Sequence, residues 1–348
     1  MNDLDRPPRS HVRATHHLLF DALVLLAALG FVVGPEPASA RPNRFIILSD
    51  LHPHPDAYGQ LDALTRHVGK LDPAFVVVLG DIANDALPGF SEREIEAVRT
   101  MFRRLRAAGI EIYPVMGNHD VHARVEDIKV RWFCEQEPMP LNRLFDASRD
   151  TDARRAFTRK GPYDYSFNRG GIHFAVLDSN CLPPRPGDAS TQSARGDSRW
   201  QAHEAWMRAD LCRHVNNPQR LPCIVFLHHP EYMNGERGMT ERPLYRVLAD
   251  CRDQHNVKAV FGGHWHYGQN FPPEQNLGIE VYATPASVHP KDGPVEFVVA
   301  DVTESEIMFQ PRDSVTGEIR TGHKPVRYAP IRGRFGDLRA EEKRAYQQ

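Results

Sequence analysis

Glu111-Ile112-Tyr113-Pro114-Val115-Met116-Gly117-Asn118-His119-Asp120 is the stretch on which the reading of this chain turns. A short apolar run ends abruptly in Gly-Asn-His-Asp. Read as a buried strand, it delivers an amide, an imidazole and a carboxylate to a C-terminal sheet edge, where open α/β sheets build their sites. Alone, an Asn-His-Asp turn is a helix cap or a tight turn as readily as a site. The rest of the chain repeats its pattern.

Working upstream, residues 44–49 form a second apolar run that ends in Asp50-Leu51-His52. An Asp and a His two apart at a strand end can face the same way. His54, flanked by Pro53 and Pro55, reads as a loop residue. A helix is expected over about 57–70. Residues 75–79 are another buried strand, ending in Gly80-Asp81. Ser91 and Glu94 have capping-box spacing, and Ile95, Val98, Met101, Phe102 and Leu105 share one face of a helix that Gly109 stops. Strand, helix, strand, helix, strand predicts a parallel sheet.

Downstream, residues 121–160 are polar and charged, with Trp132, Phe133 and Leu144 as packing points; they read as an insertion over the site edge or a surface subdomain. Residues 163–167 and 172–177 read as a hairpin through Gly170-Gly171, the second strand ending in Asp178-Ser179-Asn180. A helix over 198–215 follows. Residues 223–227 form a strand ending in His228-His229-Pro230, and Pro243 fits the first turn of a helix running to about His255. Residues 257–261 lead into Gly262-Gly263-His264-Trp265-His266. Residues 279–283, 296–302 and 307–310 are expected to form an antiparallel meander. From Pro311 to Gln348 the chain reads as a polar tail.

The 348 residues carry a net charge of −2, which gives no general electrostatic reason to bind nucleic acid or an anionic membrane. Arg6, Arg9 and Arg13 precede an apolar run over 22–33, and Ala38-Ser39-Ala40 follows. This is the pattern of a secretory signal (residues 1–40) cleaved after Ala40 to a periplasmic or secreted product; the alternative is an uncleaved anchor. Of the five cysteines, Cys134, Cys181, Cys212, Cys223 and Cys251, at least one is unpaired within a monomer. No CxxC spacing occurs, and buried inert thiols are expected for most of them.

Asp50, His52, Asp81, Asn118, His228, His264 and His266 thus all fall at strand ends. Imidazole and carboxylate donors without thiolate suit Mn, Zn, Fe or Co, and the set is large enough for two divalent or mixed-valence ions. The ordered motifs Asp-x-His, Gly-Asp, Gly-Asn-His-Asp, a His two before Pro, and Gly-His-x-His resemble the calcineurin-like metallophosphoesterase superfamily over residues 44–266, and to about 310 with the closing strands. That resemblance implies a four-layer α/β/β/α sandwich with a dinuclear metal site at the C-terminal ends of its strands. It assigns Asp50, His52 and His266 to one metal, Asn118, His228 and His264 to the other, and Asp81 to both. His119 is left outside the metals as acid or transition-state stabiliser. His229 is the weaker candidate beside His228. Asn84 stands where many relatives carry an Asp that orients this His and where purple acid phosphatases carry Tyr, so no iron–tyrosinate chromophore is expected. Tyr163 to Asn180 and the helix around Trp200, Trp206 and Leu211 are similar to the branch of purple acid phosphatases and cyclic-nucleotide phosphodiesterase-like proteins.

The implied function is an exported phosphoesterase acting on a small phosphorylated substrate through a metal-bridging hydroxide, with monoesters preferred. A phosphodiesterase of cyclic-nucleotide or glycerophosphodiester type is the alternative, and a retired metal-binding or interaction scaffold the third reading. No nucleic-acid partner and no membrane anchor after cleavage are expected.

Overall fold

Ile46, Ile47 and Leu48 are fully buried, as are Val76, Val77 and Val78, so these strands must be covered on both faces. In the computed structural model, which describes residues 44–82, 92–120, 163–181, 198–234, 242–251, 254–288, 295–303, 306–320 and 326–327, they lie at the centre of a mixed sheet. The expected signal segment, Ser91 of the capping box, Asn84 and the 121–160 insertion lie outside the described residues.

β1 (Arg44–Leu48), β2 (Phe75–Val78) and β3 (Glu111–Pro114) pair in parallel. The intervening helices are α1 (Tyr58–Leu71) and α2 (Glu92–Ala107). On α2, Val98, Met101, Phe102 and Leu105 are buried, the i, i+3, i+4, i+7 face expected. A hairpin, β4 (Tyr165–Arg169) and β5 (Ile172–Val176), turns through Gly170 and Gly171, both at positive φ (62° and 73°), the geometry of a tight primed turn. Then come α3 (Ser198–Met207), β6 (Cys223–Phe226), the single turn α4 (Glu231–Asn234), α5 (Pro243–Cys251) and β7 (Val257–Gly262). The chain continues through β8 (Gln269–Phe271), β9 (Glu280–Ala283), β10 (Glu296–Val302), β11 (Glu306–Asp313) and β12 (Val326–Arg327).

Among the described residues these strands form two six-stranded sheets, ordered β12-β11-β10-β1-β2-β3 and β4-β5-β6-β7-β9-β8. An aromatic core joins them. Phe45 of β1 stacks on Phe75 of β2 at 5.0 Å and meets Phe174 of β5 edge-on at 5.3 Å; Phe261 of β7 lies 4.5 Å from Phe309 of β11. Tyr113 and Phe167 stack at 4.0 Å, and the Tyr165 hydroxyl donates to the Pro114 carbonyl, so the two sheets are pinned near β3. A second apolar cluster, with Met207, Leu211, Leu244, Val247 and Trp265, fills the outer face of the β6–β7 sheet. Helix, sheet, sheet, helix is the four-layer sandwich expected.

Four expectations are corrected. The meander is not one: β9 runs parallel to β7 in the second sheet, whereas β10 and β11 pair antiparallel in the first. Val281 of β9 packs into the outer cluster and Tyr282 into the core between the sheets, so the strand is covered on both faces, and apolar pattern alone cannot say which neighbour it takes. The 198–215 helix is α-helical only to Met207 and continues as a π-turn over Arg208–Cys212. β11 extends through Asp313 and pairs with β12, so the sheet outlasts the expected start of the tail. Finally, Cys212 and Cys251 form a disulfide and Cys181 is also disulfide-bonded, while Cys223 is a buried free thiol. Packing of α5 against the π-turn brings two cysteines 39 residues apart to a Cα separation of 5.7 Å, a proximity the sequence spacing hides.

Candidate metal centre

Each donor sits just past the C-terminal end of a strand. Asp50 and His52 follow β1, Asp81 follows β2, and Asn118 and His119 follow β3 in the first sheet; His228 follows β6, and His264 and His266 follow β7 in the second. The loops are laced by their backbones: Asp50 N–H donates to the Gly80 carbonyl, His52 N–H to the Asp81 carbonyl, and Gly263 N–H to the His228 carbonyl. A Cβ at Gly117 would overlap the backbone nitrogen and Oδ1 of Asp81, and one at Gly263 would overlap Ser49 and Asp50. The glycines of both motifs are therefore demanded by close approach.

The backbone is also strained where donors attach. Ten non-glycine residues among those described have positive φ, and five are donors: Asp50 (47°), His52 (32°), Asp81 (48°), His264 (67°) and His266 (60°). Such clustering of left-handed residues is characteristic of functional sites.

Two groups of donor atoms result. In the first, His52 Nε2 lies 3.4 Å from Asp81 Oδ2, 3.8 Å from Asp50 Oδ1 and 3.1 Å from His266 Nε2, which is 3.4 Å from Asp50 Oδ1. Ligands at about 2.1 Å around a tetrahedral cation are spaced about 3.4 Å apart, so these atoms already have the edge lengths of a coordination shell. In the second, His228 Nε2 lies 3.2 Å from Asp81 Oδ2 and 2.9 Å from Asn118 Oδ1, with the His264 ring 5.1 Å from that of His228. Asp81 Oδ2 touches both groups, the position a bridging carboxylate requires. His228 Nδ1 donates to the Leu79 carbonyl at 2.7 Å, which leaves its Nε2 lone pair for a cation. The residues thus fit two metal ions.

The electrostatics agree. Burial works against the charged forms of Asp50 and Asp81, yet His266 beside Asp50 and His228 beside Asp81 outweigh it and hold both carboxyls below the usual range. Burial also opposes charge on His228, but Asp81 pushes it up to about 10. Two buried carboxylates therefore call for positive charge, which a proton or a cation can supply. Burial and His228 hold His264 down to about 4, and burial with the same neighbour holds His229 well below the ordinary imidazole value.

His119 remains outside both groups. Its backbone N–H donates to Asp81 Oδ1 at 2.9 Å, and its ring meets that of His52 edge-on at 4.9 Å. His54 lies apart, accepting from Asp56 N–H at the start of a short 3₁₀ turn, as a loop residue should. His229 lies beside His228 and His264, with one ring nitrogen close to a ring nitrogen of each.

Sequence reasoning missed the supports. Asp120 Oδ1 accepts Ile82 N–H at 2.8 Å and Oδ2 accepts Gly117 N–H at 2.9 Å, tying the loops after β2 and β3 together. The turn after β5 supplies no donor, yet it holds two loops that do. Ser179 Oγ accepts the N–H groups of His228 and His229, and Asn180 Nδ2 reaches the Met116 and Gly117 carbonyls at 3.4 and 3.3 Å. Asp178 in turn accepts from Tyr163 N–H and Asn180 N–H, and its own N–H donates to Asp164. Behind this turn His203, fully buried, spans Asp164 Oδ2 (2.6 Å) and the Tyr232 hydroxyl (2.9 Å), which donates to the Cys181 carbonyl. Burial opposes charge on His203, but Asp164 outweighs it and raises its value. Burial and Asp164 together raise Asp178 to about 6. The Asp178-Ser179-Asn180 signal was visible at a strand end, but nothing in spacing marks a residue that works through its neighbours.

With this geometry in place, comparison with known proteins is direct. Residues 43–268 match the calcineurin-like phosphoesterase family, and the chain belongs to that family. It is a metallophosphoesterase, a hydrolase of phosphoric ester bonds whose family uses a dinuclear metal centre. Among solved structures it is similar to a dimetal phosphatase from Danio rerio, with 16% identity over 83% of this chain and 100% of that one and a TM-score of 0.53. It is also similar to GAP50, the anchor in the inner membrane complex of Plasmodium (13% identity, 84% and 89% covered, TM-score 0.51). Purple acid phosphatase PPD1 from yellow lupin (Lupinus luteus) seeds is a third (14% identity, 80% and 52% covered, TM-score 0.50). At these identities the likeness shows the fold. No curated protein matches the sequence.

Proposed function

We propose that this protein is an exported phosphomonoesterase whose metals are held by Asp50, His52, Asp81, Asn118, His228, His264 and His266, with His119 acting on the leaving group. The observation that carries the reading is Asp81 Oδ2, which stands 3.4 Å from His52 Nε2 and 3.2 Å from His228 Nε2 and so joins two donor groups through one oxygen. When bound, two cations acidify a shared water and neutralise phosphoryl charge. The chain's residues do the rest. Asp81 sets the two groups in register, and Asp50 is fixed by two contacts from His264 N–H. His119, anchored through its backbone to Asp81, holds a proton for the departing alkoxide. Neutral His and Asn donors outnumber carboxylates, leaving the loaded centre positive; this suits a doubly charged monoester better than a singly charged diester. The completeness of the donor set supports catalysis over a retired scaffold. The Cys212–Cys251 disulfide and disulfide-bonded Cys181 support an oxidising compartment, hence export.

The test compares a nitrophenyl phosphate monoester with the bis-ester, with added Mn or Zn and with a chelator. Chelator-sensitive turnover favouring the monoester is expected; a preference for the bis-ester would make the protein a phosphodiesterase. Asp81→Asn is expected to lose a metal and most turnover. His119→Ala is expected to lower kcat by about 10²-fold or more on an alkyl phosphate monoester, and by less on the nitrophenyl ester, with metal content intact; loss of metal instead would move His119 into the ligand set.

A further inference from the structure

His228 and His229 are consecutive, yet their hydrogen bonds give their ring nitrogens opposite roles. His228 Nδ1 faces the Leu79 carbonyl, which only accepts, so Nδ1 keeps its proton and Nε2, toward Asp81 and Asn118, is the nitrogen that yields its proton to a cation. His229 Nδ1 instead lies 2.9 Å from Ser179 Oγ. That buried hydroxyl already accepts His228 N–H at 3.1 Å and His229 N–H at 2.9 Å. Both of its lone pairs are then filled, and its remaining capacity is to donate O–H to Nδ1. The neutral His229 ring must therefore carry its proton on Nε2. With one nitrogen bound to Ser179 and the other protonated, it has no lone pair left for a cation, although its ring packs 4.8 Å from His228 and 4.5 Å from His264. Among the described residues the ring's hydrogen bond is the one at Nδ1 from Ser179, and His229 keeps part of its surface open.

We propose that His229 is a substrate-binding residue of this site: its Nε2–H donates to a non-bridging oxygen of the bound phosphoryl group, and Ser179 is the positioning residue that sets the tautomer. This rests on the phosphoesterase reading and deepens it. Phosphoryl oxygens only accept, and a neutral donor beside two cations adds hydrogen bonding without further positive charge.

Two variants separate the roles of the ring nitrogens. His229→Asn keeps an oxygen where Nδ1 accepts from Ser179 and removes the Nε2 donor; His229→Gln returns an amide N–H near the Nε2 position. In metal-loaded full-length protein, calorimetry with inorganic phosphate should show His229→Asn binding as many metals as the wild type and phosphate about tenfold or more weaker, with His229→Gln recovering part of the loss. A metal lost from His229→Asn would make His229 a ligand and overturn the proposal, as would unchanged phosphate affinity. Nitrogen-15 NMR of the wild-type histidines is expected to show His229 protonated at Nε2, and Ser179→Ala to mix its tautomers; an Nδ1-protonated His229 in the wild type refutes the assignment. Wild-type protein that binds phosphate but hydrolyses no ester would sink the catalytic reading alone and leave His229 to be judged by the variants. Wild-type protein that holds its metals and binds no phosphate would sink both.

Discussion

His228 shows how much one side chain's setting decides. Without metal, its value of about 10 keeps it protonated at neutral pH, with Asp81 stabilising the charge. A cation taking Nε2 must displace that proton, so metal binding at pH 7 is expected to release on the order of one proton from this residue, and apparent affinity to climb with pH across the neutral range. Calorimetry in buffers of different ionisation enthalpy measures the release; none at all would argue that His228 is not a ligand. The donors were legible because they recur at strand ends next to Gly or Pro. Ser179 and Asp120 were not, because their work is done on backbone N–H groups from other loops, and no sequence spacing records such a contact.

At the scale of elements, the turn after β5 and the α3 residue behind it form a buried polar unit. Asp178 has a folded value of about 6 against an ordinary 3.8. Because the folded value is raised, the stability its protonated form contributes is complete below pH 3.8 and is lost as pH rises through about 6. The span of about two units corresponds to about 3 kcal/mol. His203 acts in the same direction: its contribution is complete below about pH 6.5 and is lost as pH rises through its raised value. Asp178→Asn, uncharged throughout, is expected to be less stable than the wild type at pH 4, where it forfeits hydrogen bonds, and to close that gap by up to about 3 kcal/mol by pH 7. Denaturant midpoints at the two pH values measure it; a constant gap would mean that Asp178 does not titrate in this range. The buried central strands were legible from their apolar runs. The partner of β9 was not, since a strand covered on both faces carries no mark of which sheet claims it.

For the whole molecule, the donors divide between two sheets: Asp50, His52, Asp81 and Asn118 from one, His228, His264 and His266 from the other. Cations held there bind the docked sandwich and not the unfolded chain, so they stabilise it by mass action, about 2.7 kcal/mol at a hundred times the dissociation constant. The thermal midpoint is expected to rise with the logarithm of free Mn or Zn and to fall on chelation. A midpoint indifferent to metal, with metal shown to bind, would mean that the unfolded chain binds the ions as well as the folded one does, against a centre assembled by folding.

The left-handed backbone at Asp50, His52, Asp81, His264 and His266 has a consequence for transplantation. Each such residue costs about 1 kcal/mol or more, sustained here by the loops that interlock around it. Copying the seven side chains onto the strand ends of another sandwich would transfer the chemistry on paper and scatter the donors in practice. What is portable is the set of bent peptide turns with their glycines at Gly117 and Gly263, and only a graft carrying the turns whole would inherit the centre.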